Sequence, residues 1–151
     1  MQFRGPYAFL SNMYPCTVIY DGITYPCSET AFQAQKYKLI FQDTDLNDFA
    51  KFDGKEAKRI TREFSFTQEQ KEFWEANRVS IMYFIVLEKF LQNEDLMNML
   101  LFTDTVPIVE DNTWGDRFWG VDQTGEGLNM LGEILMRIRK ELKEELDDND
   151  E

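Results

Sequence analysis

The chain has 151 residues, 43% hydrophobic and 15% aromatic, with a net charge of −12, two cysteines and no histidine. The length suffices for one domain with its own core. Without histidine there is no Ser-His-Asp or Cys-His nucleophile system and no HExxH zinc site, and two cysteines are too few for a structural zinc. Acid–base chemistry must therefore come from Asp, Glu, Lys, Tyr or water, and neither metal nor cofactor is expected. No apolar run approaches a membrane span and no signal peptide is legible, so the expectation is a cytoplasmic protein without a membrane partner. Seven acids and one lysine from Glu141 to Glu151 hold half of the net charge. They read as an acidic tail, 141–151, after a domain of residues 1–140. An acidic body argues against a long grip on nucleic-acid phosphates but permits a local basic pocket for one phosphorylated ligand.

The segment Phe3–Asn12 has no clean period, and Gly5-Pro6 marks a turn. Arg4 reads either as a surface cation or as a fork for a phosphate or carboxylate. Ser11-Asn12 reads either as a cap or as a pair of ligand contacts. Thr17–Tyr20 and Ile23–Tyr25 flank Asp21-Gly22, the signature of a two-residue β-hairpin. Extending that register sets Cys16 opposite Cys27, with reduced thiols the expectation.

Ser28 then reads as the N-cap of a helix running to about Phe41, with Glu29 at the positive end of its dipole. On a 3.6-residue period Glu29, Phe32, Gln33, Lys36, Leu39 and Ile40 share one stripe, which the apolar members mark for burial. A charge on such a stripe costs free energy unless it has a partner or a purpose. Two readings stay open, a structural salt bridge elsewhere in the core and a site lining a pocket.

From Asp43 to Arg62 the pattern is one or two short helices broken at Asp53-Gly54, with Lys55, Lys58, Arg59 and Arg62 forming a positive face. That face is either solvated or turned to a phosphate. Thr67-x-x-Gln70 is a capping box opening a long helix to about Gln92. Its core candidates are Phe73, Trp74, Ile81, Phe84 and Ile85, and the heads of Arg78 and Lys89 are expected to reach water. Leu96–Phe102 reads as a short helix and Val106–Val109 as a short strand. In Asn112–Gly120 two tryptophans, a phenylalanine and two glycines surround Asp116. They either anchor the loop or wall a ring-bearing ligand. The last helix is expected from Leu128 to about Leu146, with Leu128, Leu131, Leu135 and Ile138 as its apolar stripe. Gly132 within it suggests a close contact or room for a ligand. Asn129 falls in its first turn, where free N–H groups suit an anion. The fold class is α+β, a compact, mostly helical domain with a small antiparallel hairpin.

Taken in order, these motifs resemble the YbiA-like N-glycosidases of the NADAR superfamily. The resemblance rests on Phe9-Leu10-Ser11-Asn12, Asp21-Gly22, Tyr25-Pro26, Ser28-Glu29 and Phe32-Gln33-Ala34-Gln35-Lys36. It continues through Trp74, Met82, Lys89-Phe90, Leu100-Leu101, Thr103 and Val109-Glu110. It ends with Asp116-Arg117-Phe118-Trp119-Gly120, Gly127, Asn129-Met130-Leu131-Gly132, Leu135-Met136 and Arg139. It implies cleavage of the N-glycosidic bond at the anomeric carbon of a ribose. The implied substrates are ribosylaminopyrimidine phosphates of riboflavin synthesis. The alternatives are ADP-ribose on a modified nucleobase, even a single base in nucleic acid, and a non-catalytic module that binds ADP-ribose or a similar nucleotide. In this frame Lys36 is the candidate nucleophile or electrostatic partner, Glu29 the general acid/base and Asp116 the ribose-orienting group or second base. Trp119 and Gly120 would lie along the base or sugar. Arg4, Ser11, Asn12, Gln33 and Asn129 are the remaining substrate-binding candidates.

Overall fold

The computed structural model describes residues 2–149. It contains a 3-10 helix, Gly5–Leu10, a hairpin of β1 (Val18–Tyr20) and β2 (Ile23–Tyr25), and six α-helices. These are α1 (Ser28–Ile40), α2 (Leu46–Phe49), α3 (Gly54–Thr61), α4 (Gln68–Gln92), α5 (Glu94–Phe102) and α6 (Met130–Asn149). The class is the expected one, mostly helical with one two-stranded antiparallel sheet. No helix among the described residues is long and apolar enough to cross a membrane. The chain divides into two units, one made of residues up to Ser11 together with those from Glu94 onward, the other of Asn12–Asn93.

The Asn12–Asn93 unit is built around α1, which packs against α2, α3, α4 and both strands. The hairpin pairs Val18 with Tyr25, Ile19 with Thr24 and Tyr20 with Ile23, and Asp21 (φ 49°) and Gly22 (φ 79°) take the left-handed turn that a two-residue loop demands. The open edge of β1 is covered by side chains of α4. Ile19 N donates to Gln92 Oε1 at 2.6 Å and Gln92 Nε2 donates back to Ile19 O at 2.8 Å, so one amide stands in for a third strand. The Thr67–Gln70 capping box is present and α4 has the expected bounds. The break at Asp53-Gly54 separates α2 from α3, and Asp53 caps α3 by accepting from Glu56 N at 2.8 Å.

Several expectations fail, each for a packing reason. Ser28 is not the cap. Cys27 holds the cap position with extended backbone, and the Glu29 N–H is instead taken by the Asn12 carbonyl at 2.9 Å. The first seven residues of α1, Ser28–Ala34, are buried all round rather than along one stripe, because neighbours surround that end of the helix. On α4, Phe73 and Phe84 are half exposed while Met82, Tyr83 and Val86 are buried beside Trp74 and Ile85. The buried face is thus rotated from the one chosen by counting aromatics. Lys89 does not reach water. It is 1% exposed, its ammonium 5.9 Å from the centre of the Tyr14 ring and 5.3 Å from that of Phe90.

In the other unit the 3-10 helix buries Phe9 and Leu10, where sequence suggested only a turn. Val106–Val109 forms no strand, and Asp111 makes an isolated parallel bridge with Val121. The last helix starts at Met130, so Leu128 is exposed and Asn129 (φ 52°) precedes the first turn. Both polar atoms of Asn129 are spent on one segment, Nδ2 donating to Ile108 O and Oδ1 accepting from Glu110 N, each at 2.9 Å. Gly132 is required by the same contact, since a Cβ there would strike the Asn129 amide and the Ile108 carbonyl. Arg139 pins the chain below by donating to Thr103 Oγ1 at 3.0 Å and Val106 O at 2.8 Å. The acidic stretch from Glu141 to Asn149 is helical, and the last two residues of the expected tail lie outside the described ones.

The buried Lys89 generates a prediction. Desolvation pushes its amine down to about 8, while the nearby Cys16 and Cys27 pull the other way. The folded value lies below the unfolded one near 10.5, so the cost of the buried cation is full below pH 8 and is relieved as pH rises towards 10.5. Urea unfolding should show wild type gaining on the order of 2 kcal/mol relative to Lys89→Met between about pH 7.5 and about pH 9.5. Parallel pH profiles for the two proteins would refute this.

Candidate active site

Within the Asn12–Asn93 unit, Glu29, Gln33 and Lys36 lie on successive turns of α1. Gln33 is the link between helices. Its Nε2 donates to Glu29 Oε1 at 2.9 Å and its Oε1 accepts from Thr61 Oγ1 at 2.6 Å. Glu29, Gln33 and Thr61 are all buried. Buried polar groups must be satisfied, and here a carboxylate, an amide and a hydroxyl satisfy one another in a fixed order. The close approach of α3 to Glu29 requires Gly54, because a Cβ there would lie 3.1 Å from Glu29 Cβ, 3.3 Å from Cys27 Sγ and against Met13 Sδ. Asn12 contributes its carbonyl to the Glu29 N–H, and its Nδ2 lies 3.4 Å from Met82 Sδ.

Lys36 is half buried, its nitrogen 5.6 Å from the centre of the Phe66 ring. Phe66 leans on Trp74 and Trp74 on Phe32, with centroids 6.0 and 5.0 Å apart. Burial lowers the Lys36 amine from its ordinary value; Glu29 opposes the shift, and Arg62, Lys58 and Arg78 add to it. The arrangement is a fixed acid and an amine biased towards neutrality on one helix. Those are the ingredients of proton transfer coupled to nucleophilic attack.

In the other unit, Arg4 and Ser11 line a cavity of about 450 Å³ with Phe3, Glu110, Asn112 and Trp114. Arg4 Nε donates to Gln2 Oε1 at 2.6 Å. Asp116 organises its own loop, Oδ1 accepting from Phe118 N and Trp119 N, both at 2.9 Å. Trp119 stands edge-on to Phe118, centroids 4.8 Å apart, and is half buried, whereas Trp114 is 66% exposed. Gly120 is tight against the Glu110 carbonyl, which leaves no room for a side chain.

Sequence reasoning missed Thr61 and Asn112. Thr61 ends a short helix, and nothing local marks it as the partner of a glutamine 28 positions earlier. Asn112 is buried and clamps Asp116, its Nδ2 donating to Asp116 O at 2.8 Å and its Oδ1 accepting from Asp116 N at 2.9 Å. An asparagine shortly before Gly115 was the available turn signal. The hydrogen-bond chain also makes Thr61 testable. Thr61→Val leaves Gln33 Oε1 without its donor in a buried place, so urea denaturation should show a loss of about 1–3 kcal/mol. A loss under a few tenths would mean that the chain is slack.

Comparison with known proteins places these residues in a family. The NADAR domain model matches residues 2–143. A riboflavin biosynthesis protein of Vibrio vulnificus is 41% identical over 140 residues, which is 91% of this chain but 36% of that one. The N-glycosidase YbiA of Escherichia coli is 32% identical over 136 residues, covering 90% of this chain and 82% of YbiA. The NMR structure of Escherichia coli YbiA superposes with a TM-score of 0.78 at 30% identity, covering 96% of this chain and 85% of that one. The chain thus spans about a third of the Vibrio protein and most of YbiA, and by the extent of the family match it belongs to the NADAR domain family.

Proposed function

We propose that this protein is an N-glycosidase that hydrolyses the bond between the anomeric carbon of a (phospho)ribose and a nitrogenous base. Ribosylaminopyrimidine phosphates of riboflavin biosynthesis are the first substrate class to test. The observation that carries the reading is the Glu29–Gln33–Thr61 chain beside a half-buried Lys36 whose amine is lowered. Similarity to a protein named N-glycosidase YbiA and to one named for riboflavin biosynthesis supports it.

Breaking a C1–N bond leaves electron deficiency at C1 and negative charge on the departing nitrogen. Glu29 in its acid form delivers a proton to that nitrogen. The sugar opens as the C1–O4′ bond breaks and the proton of the base nitrogen passes to O4′, leaving a C1=N bond; Lys36 in its neutral form then adds to C1, hands a proton to the base nitrogen, and the base departs to leave a protonated Schiff base. Glu29, now a carboxylate, takes a proton from the water that hydrolyses the Schiff base and returns the amine. The hydrogen bond from Gln33 holds the Glu29 carboxyl in place through both steps. Asp116 as ribose-orienting group, Trp119 as ring contact, and Arg4, Ser11, Asn12 and Gly120 as substrate contacts are proposals that rest on the family resemblance alone; Asn129, whose two polar side-chain atoms are spent on Ile108 and Glu110, leaves that set. The second reading is removal of ADP-ribose from a modified base, and the cations around Lys36, suited to a diphosphate, favour it.

A mass-spectrometric hydrolysis screen over ribosylaminopyrimidine phosphates, NAD, ADP-ribose and ADP-ribosylated guanine separates the two. Lys36→Ala and Glu29→Gln should each lower kcat by about a hundredfold or more while the melting temperature stays within a few degrees. A variant that unfolds instead would return the residue to a purely structural role. Because the attack needs neutral Lys36 and protonated Glu29 together, wild-type kcat should follow a bell-shaped pH profile whose alkaline limb lies below 10.5, the ordinary lysine value. A rate still rising with pH at 10.5 would exclude this pairing of roles.

A further inference from the structure

The helix α4 is apolar on two opposite faces. One packs on α1 and β1 and buries Trp74, Met82, Ile85 and Phe90. At 3.6 residues per turn the opposite face is a stripe about 80° wide and roughly 27 Å long, made of Phe73, Asn77, Ser80, Phe84, Leu87 and Leu91. Phe73, Phe84 and Leu91 are 52, 53 and 50% exposed, and Leu87 is half buried. The spacing alternates four and three residues, the seam of a coiled coil rather than the solvent side of a surface helix. The stripe carries no charge in a chain of net charge −12, so a second acidic body can meet it without repulsion. One flank of the stripe has two further features. Beside its first half a cavity of about 330 Å³ opens between Leu39, Phe73, Trp74 and Ile81. Beside its last turn, on the flank that Trp74 and Ile81 share, Gln92 holds Ile19, whose side chain is 47% exposed.

We propose that this stripe is the interface of a homodimer in which α4 packs antiparallel on α4 of a second copy, about a two-fold axis level with Met82. That axis sets Phe73 opposite the partner's Leu91, Asn77 opposite the partner's Leu87 and Ser80 opposite the partner's Phe84. Each layer joins the two alternating seam positions, as antiparallel helices require, and the ring of Phe84 meets the small side chain of Ser80. The surface is thus complementary to itself. A two-fold axis perpendicular to both helices also brings like flanks together. The Ile19 and Leu91 end of each copy therefore lies over the cavity of the other. Glu88 shares that flank and comes level with the cavity wall that carries Lys38, an opposite charge. A strip of this length with both cavities covered buries on the order of 1,200 Å² in total, the lower end for a specific interface, so the dimer should be micromolar rather than nanomolar. Phe73 and Phe84, which the sequence pattern assigned to the core, are apolar for this second burial. The proposal does not depend on the reaction catalysed.

Sedimentation velocity of the full chain from about 1 to about 300 µM is the test. Wild type should pass from monomer to dimer across that range. Phe84→Glu should weaken the dimer about tenfold or more, with the melting temperature of the dilute monomer within a few degrees of wild type because the ring is exposed. Phe84→Ser, which removes the ring without adding charge, should act in the same direction. Phe73→Lys and Leu91→Glu should each weaken the dimer by a similar factor, and the two in one chain should restore it. Those positions are too far apart to pair within one helix, and only the antiparallel arrangement sets each introduced amine against the partner's introduced carboxylate. A wild type that stays monomeric throughout would overturn the proposal, and binding of that monomer to neutral phosphatidylcholine vesicles would reassign the stripe to a lipid surface. A dimer that Phe84→Glu leaves unchanged, or that the double variant fails to restore, would overturn the antiparallel α4 pairing.

Discussion

The Asn12–Asn93 unit depends on burying the first half of α1 with its polar groups still attached. Glu29, Thr30 and Gln33 sit among Ala31, Phe32 and Ala34, all of them buried. Such burial is tolerable only because each of these three polar side chains has a defined acceptor or donor. Thr30 Oγ1 donates to Phe52 O at 2.9 Å, Gln33 joins Glu29 to Thr61, and the Glu29 N–H finds the Asn12 carbonyl. These bonds reach from α1 to the hairpin approach, to the segment between α2 and α3, and to the end of α3. The constraint that stabilises the unit is thus the one that presents Glu29 in a single orientation.

The same logic operates in the other unit, where polar side chains replace regular structure. Asn129, Asn112 and Asp116 together supply the pairing that a sheet would otherwise provide for residues 108–119. Asp122 extends the pattern. Its Oδ1 accepts from Thr124 and Glu126, and those bonds with the Arg117 guanidinium hold its carboxyl far below the usual range. A loop so fully bonded has little chain freedom left. That explains how a segment with almost no strand or helix keeps Trp119 in place.

Much of the architecture was legible because it rests on local chemistry. Asp21-Gly22 demands a left-handed turn, Thr67 and Gln70 cap each other, and Asp53 caps α3, each within a few residues of the backbone it serves. The stripe of α1 was legible only as a contradiction, apolar residues mixed with an acid, an amide and an amine. Its resolution needed Thr61 and Gly54, which come from a different helix and carry no signal of their own. Lys89 was misread for a related reason. A lysine on a helix face normally snorkels, and whether water is within reach depends on what is packed above it. Here Tyr14 and Phe90 flank the amine.

By itself, the sequence determined the helices and hairpin, the absence of histidine chemistry, and a motif order that points to one family. These follow from spacing, capping and composition, which act over a few residues or not through contact at all. Only the tertiary structure decided which side of α4 is buried, that Asn129 is consumed by the chain at Ile108 and Glu110, and that Gln33 holds Glu29. It also decided that the Lys89 ammonium lies buried against Tyr14 and Phe90. Each of these outcomes depends on groups distant in sequence meeting in a low-dielectric place, where an unmet hydrogen bond or an unscreened charge is costly enough to choose between arrangements that local propensity leaves equal.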